Sequence, residues 1–367
     1  MTTAATTGRV AWADATKGLT IVLIVVYHSG LILGQAHVIG SGWTDFNMLF
    51  PLLRVPLFFA VSGLFAASVI ARPWRTLWAT RLSPLVWAFG AWALLRFAFF
   101  SVFPLSSRPY ENDFASVIQA VWAPLTAAWY LHALFLFMVM AKLTVRVPPW
   151  LQVAVAALLS ALVLNGLVSF PETYYERLAV HYVFFVGACY LKNPLRRAVD
   201  ASNTTSTLLL LGGYVVGSVV AVQHGVDWLK LPLAVLAVPA GFFLARQVTG
   251  SGLGRLLTWI GERTLPIYVC HVLVIGFAAW VMVRRDIGLT GTAAEVWWPL
   301  ALTVVALLVS VAVWSVAMRS PLRLMYEPPA FFRLSPTPAP RHRAVRHKTA
   351  RPASSLAMGT LKGEQLT

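Results

Sequence analysis

The stretch KGLTIVLIVVYH, residues Lys17 to His28, decides what kind of protein this is. It is an apolar run long enough, with its flanks, to enter a bilayer, yet it opens on a cation and closes on an imidazole. The rest of the chain has the same character. Of 367 residues 58% are hydrophobic and only 11% are charged, and the mean hydropathy is +0.72. Soluble domains carry about 25% charged residues, so a water-soluble globular class is excluded. Repeated apolar stretches of about 20 residues match the roughly 30 Å of hydrocarbon that a helix rising 1.5 Å per residue must cross.

Working outward, apolar segments separated by charges and turn residues predict about ten spans. They lie at about 16–36, 46–70, 82–104, 122–142, 150–168, 179–191, 206–223, 229–247, 259–283 and 297–318. The sixth is short and is expected to begin earlier, within SFPETYYERLAVHY. In the ninth, Pro266 is expected either to kink the helix or to start it. The first run lacks a basic leader and a small-residue cleavage site, so it is expected to be a retained helix. With the N-terminus cytoplasmic, 22 of the 29 Lys and Arg fall in inner loops and tails, as the positive-inside bias requires. The expected architecture is an all-α polytopic transmembrane helical bundle over residues 1–318, with both termini cytoplasmic. Residues 319–367 form a basic Pro/Arg-rich cytoplasmic tail, expected to be disordered. That tail supplies much of the net charge of +16 and is expected to meet anionic lipid head groups and not nucleic acid. Cys189 and Cys270 both sit in apolar runs and form no disulfide framework.

Lys17 and His28 are eleven residues apart, three helical turns plus about 20°, so they share a face. Asp14 and Gln35 fall on the same line. His28 lies about 16 Å above Lys17, near mid-bilayer, where an ionisable group either marks a function or bonds across helices as packing glue. The four-residue polar line favours function.

The segment WADATKGLTIVLIVVYHSG resembles the first helix of the acyltransferase-3 family of integral membrane acyltransferases. Lys17 and His28 match that family's basic residue and essential histidine, and Asp14 matches the acidic residue of its usual LDxxRG start. Further on, RVPLFFAVSGLFAA is similar to the family's PLFFxxSGxL. RPWR, with RLSPLVWAF after it, matches its basic RxxR motif. AWYLHALFLF is similar to LWYLYALL, and IGERTLPIYVCHVLVI to IGxxSLxIYLxH. Order and spacing hold from about residue 9 to 318. The closest likeness is to short bacterial members without an attached extracytoplasmic domain, which implies a multi-pass protein of the bacterial plasma membrane.

The resemblance implies transfer of an acetyl or similar acyl group from a cytoplasmic coenzyme A thioester to an envelope glycan or glycolipid. No permanently bound cofactor is expected; acetyl-CoA or another acyl-CoA is the donor substrate. His28 is then the general base, or alternatively the carrier of a covalent acyl group, with Lys17 and Asp14 beside it in the motif. Arg72, Arg75 and Arg81 would hold coenzyme A phosphates, since a guanidinium fork donates to phosphate in pairs; topological anchoring is the plainer reading of the same residues. Trp129 and Tyr130 either line a sugar site or mark a membrane boundary. Tyr268 and His271 share a helix face, as a second site pair or as packing. Ser62 and Gly63 fit close helix approach, and Arg54 and Arg96 are buried cations in need of partners. His132 departs from the tyrosine common at its position. No metal motif, P-loop or CxxC occurs. A transporter, or a translocator of the acyl group working with a separate transferase, is the rival reading.

Overall fold

A computed structural model describes residues 11–333. Every regular element among them is a helix, and no strand occurs. The long helices are α1 (Ala11–Gln35), α2 (Pro51–Ile70), α3 (Trp74–Val102), α4 (Trp129–Leu143), α5 (Pro149–Leu164), α6 (Thr173–Tyr190), α7 (Thr204–His224), α8 (Lys230–Val248), α9 (Gly252–Gly261), α10 (Thr264–Arg284) and α11 (Ala294–Ala317). Seven are long and apolar enough to cross a membrane: α1, α2, α3, α7, α8 with the turn before it, α10 and α11.

These seven account for part of the expected ten. Helices α4 and α5 are apolar but have only 15 and 16 residues, about 22–24 Å, shorter than the hydrocarbon layer. The segment expected at 122–142 loses its first turns because Pro124 and the loop around it precede α4. Helix α6 does begin earlier than the apolar run, and its first turns carry Glu176, Arg177 and His181. In the ninth segment the chain breaks at Glu262 and Arg263, so that Pro266 sits in the first turn of α10, where its missing N–H costs no helical bond.

Helix α1 is the hub, packed against α2, α8, α9, α10 and α11. Small residues allow the approach: a Cβ on Gly18 would run into the Leu257 carbonyl of α9, and one on Gly261 into the Asp14 carbonyl. Gly63 does the same for α2 and α6, with the Phe185 carbonyl where its Cβ would lie. The packing role expected of Gly63 is thus a backbone-to-backbone contact. Helices α7 and α11 are peripheral, with Leu208, Leu209, Val216, Val304 and Leu308 exposed, as a lipid-facing surface demands.

Helix α3 contains a π-helical turn at Trp78–Leu82, a local irregularity that often accompanies function. The start of the basic tail is folded against this helix: Pro321–Met325 and Ala330–Arg333 are short helical turns. Three indole N–H groups hold it, Trp78 to the Phe332 carbonyl (3.0 Å), Trp87 to Leu324 (2.6 Å) and Trp92 to Met325 (2.8 Å). The tail from 334 onward lies outside the described residues.

Candidate active site

Alternation of apolar and polar faces on α1 brings His28 inward, and α10 supplies its partner. His271, fully buried, places Nε2 3.2 Å from His28 Nδ1, with the rings 5.0 Å apart. His271 Nδ1 lies 2.9 Å from the Ile267 carbonyl, and His28 Nδ1 lies 3.0 Å from the Ile24 carbonyl. A carbonyl only accepts, so each Nδ1 carries the hydrogen. His271 Nε2 is then an acceptor, and His28 Nδ1–H is shared between it and Ile24. The consequence is a fixed tautomer in which the lone pair of His28 sits on Nε2.

His28 lines a cavity of about 520 Å³ between α1, α2, α4, α6 and α10, together with Trp129, Tyr130 and Tyr268. Of the residues singled out in sequence, these four meet around one space with Gln35 and Arg54, and His271 lies directly behind His28. Stacking and hydrogen bonds hold their side chains in place. The Tyr130 ring stacks on Phe58 with centroids 4.3 Å apart, and its hydroxyl lies 2.7 Å from the Ser62 hydroxyl. The Tyr268 hydroxyl donates to the Ala127 carbonyl and accepts from the Tyr130 N–H at 3.3 Å. Ser62 therefore positions an aromatic wall as well as permitting close packing.

Lys17 and Asp14 are elsewhere. They pair with each other at 2.9 Å, and the Lys17 ammonium lies over the Phe65 ring at 3.7 Å. Neither lines the cavity, because the eleven residues to His28 span about 16 Å of helix. Arg72, Arg75 and Arg81 are at that same end of the bundle, exposed, just after α2 and along the start of α3. Arg72 and Arg81 are close enough to repel, and Lys142 donates to the Arg72 carbonyl at 2.6 Å. The structure thus separates a basic end from the histidine cavity.

At the opposite, Gln35 end lies a network the sequence reading left unpaired. Arg96 and Arg108 both donate to Glu111 Oε1, at 2.5 and 3.0 Å, and Arg108 also donates to Gln35 at 3.0 Å. Burial by itself would push the Glu111 carboxyl up, but the charges of Arg96 and Arg108 more than offset it and hold the group below its usual range. Arg54 donates to Asn47 at 3.3 Å and lies 4.2 Å over the Tyr27 ring. Glu111, Arg177 and His181 were not singled out by any motif; their signal is only an ionisable side chain beside an apolar segment. His132 is engaged away from the cavity, accepting from the Tyr174 hydroxyl at 2.5 Å and donating to the Val121 carbonyl at 3.1 Å. Cys270 is buried, and no metal-holding group of three or more His, Cys, Asp or Glu occurs among the described residues.

Seven membrane-length helices and a histidine pair inside the bundle, His271 buried and His28 at the cavity wall, define a polytopic membrane protein with an intramembrane site. Residues 10–315 match the family model described as an acyltransferase domain, and the chain belongs to that acyltransferase-3 family. It is also similar to the inner membrane protein YcfT of Escherichia coli (strain K12), 24% identical over 296 residues, covering 72% of this chain and 79% of that one. No solved structure matches. The apolar helices and this likeness support a multi-pass place in the bacterial inner membrane.

Proposed function

We propose that the protein is a membrane O-acyltransferase that moves an acetyl or similar acyl group from a cytoplasmic coenzyme A thioester to a hydroxyl of an envelope sugar, glycolipid or polysaccharide. The observation that carries this reading is His28, with its lone pair on Nε2, at the wall of a cavity in a chain of the acyltransferase-3 family. In the proposed reaction Nε2 takes the proton of the acceptor hydroxyl as its oxygen bonds to the thioester carbonyl. The C–S bond then breaks, and the coenzyme A sulfur leaves with the proton from His28. His271 keeps the imidazole oriented throughout, and Trp129, Tyr130 and Tyr268 bound the space for the acceptor.

The donor's phosphates are assigned to Arg72, Arg75 and Arg81. The long pantetheine arm of coenzyme A would let the thioester reach the bundle interior while the phosphates stay at the basic end. Lys17 and Asp14, in this scheme, belong to the donor's route and not to the reacting atoms. The proposal includes ten spans, with α4, α5 and α6 crossing beside the seven, and both termini in the cytoplasm. The distribution of Lys and Arg supports that orientation.

The test uses membranes carrying the wild-type chain or His28→Ala, given acetyl-CoA labelled in the acetyl group, with lipids and glycans analysed by mass spectrometry. A labelled species made only by the wild type supports the reaction and identifies the acceptor. Label transfer that survives His28→Ala rules out the general-base role.

A further inference from the structure

The cavity beside His28 carries more positive charge than the protein neutralises. Arg54, Arg108 and Arg177 line it, and no Asp or Glu does. Behind them Arg96 shares the single carboxylate of Glu111 with Arg108. Among the described residues, two guanidinium groups thus share one carboxylate, and Arg54 and Arg177 have no carboxylate partner. Arginine does not shed its proton in proteins, and a cation held in a low-dielectric place without a counter-charge is costly. Arg54 and Arg108 are 5% and 4% exposed. Arg54 meets only the uncharged oxygens of Asn47 and the face of Tyr27. Arg177, exposed at the cavity mouth, lies 5.5 Å over Trp129 and donates to no acceptor among the described residues. His181, also on the wall, has a buried Nδ1 without a partner.

We infer that the acceptor is an anion: a hydroxyl compound bearing a phosphate or carboxylate, its oxyanion held among Arg54, Arg108 and Arg177 and its hydroxyl at His28 Nε2. This rests on the proposed function for the assignment of the cavity to the acceptor. The missing counter-charge is then brought by the substrate, and the guanidinium forks match either oxyanion in pairs. A neutral glycan would leave Arg54 and Arg177 with no charge to answer them, and Arg108 with only the carboxylate it shares with Arg96. Coenzyme A also carries phosphates, but the cavity belongs to the Gln35 end of α1, away from Arg72 and Arg75.

The experiment reads binding, not transfer. The full chain in neutral detergent is titrated calorimetrically with glucose, glucose 6-phosphate, glucuronate and coenzyme A. The expected result is that a charged sugar binds about tenfold or more tighter than glucose, as one charge-assisted contact would provide. That preference is expected to shrink in Arg177→Gln, whose exposed position makes misfolding no explanation, and in Arg54→Lys, which keeps the charge but loses the fork. Equal affinity for glucose and both charged sugars overturns the inference, as does an absence of binding by either charged sugar at millimolar concentration. So does an undiminished preference in both variants. Displacement of the sugar phosphate by coenzyme A assigns the cavity to the donor and likewise overturns it. Anion binding without acyl transfer in the labelling test would refute only the acyltransferase reading, and transfer to an uncharged acceptor alone would refute only this one.

Discussion

His28 owes its chemistry to two acceptors. Because Ile24 and His271 both take from Nδ1, substitution of His28 and of His271 should differ in degree. His28→Ala removes the base, and kcat is expected to fall about 10²–10⁴-fold. His271→Ala leaves the Ile24 bond, so a smaller fall in kcat with little change in the acceptor's KM is expected from steady-state kinetics. Glu111 makes a second residue-level prediction. Its carboxyl is held below the ordinary range, so the unfolded chain binds the proton more readily than the folded one. The stability it contributes is present above the unfolded pKa and is lost as pH falls through the lower, folded value. Glu111→Gln strands Arg96 and Arg108, and a loss of about 3–5 kcal/mol is expected in denaturation. The acid-side decline in stability should become shallower in this variant. The line from Lys17 to His28 was legible because helical geometry is local. His271 stands 243 residues from His28, and the motif that contains it does not say which helix it touches. Glu111 was illegible for the same reason: its meaning lies in two cations brought to it by the fold.

Among the elements, the close pairs α1–α9 and α2–α6 rest on glycines facing carbonyls. Gly63→Val would force α2 and α6 apart, since backbone and not a pliable side chain occupies the space. At least about 1–3 kcal/mol of destabilisation is expected, seen as a lowered midpoint of thermal unfolding in detergent, with the Cys189 thiol contact to the Gly63 carbonyl lost as well. Apolar runs located the helices from sequence because burial in lipid demands them, and α1, α7 and α11 fall close to their expected bounds. Helices α4 and α6 did not obey the pattern. Pro124 delays the one, while in the other ionisable residues facing the cavity depress the apolar signal where the site is built. Ionisable residues that line the cavity thus lower the apolar signal of α6.

At the scale of the whole molecule, the basic cluster at one end and the arginine-rich cavity at the other divide the proposed labour between donor and acceptor. Replacing both Arg72 and Arg75 by Ala is expected to weaken coenzyme A binding while leaving sugar-phosphate binding unchanged; unaltered coenzyme A affinity would return the motif to anchoring. Reporter fusions offer a second check. A reporter after Arg72 is expected to respond as cytoplasmic and one within residues 37–41 as external, and the reverse pattern would invert the assignment of the two ends.

The three indoles of α3 also set a clock. Their acceptors lie 254, 237 and 233 residues further along the chain. At roughly 5–20 residues per second of synthesis, Trp78, Trp87 and Trp92 wait on the order of 10–50 s before Leu324, Met325 and Phe332 leave the ribosome. During that interval the face of α3 is open, and its polar N–H groups are without their final partners. The segment that closes it is made only after all eleven long helices, so a chain stopped short of it leaves this face of α3 unfinished.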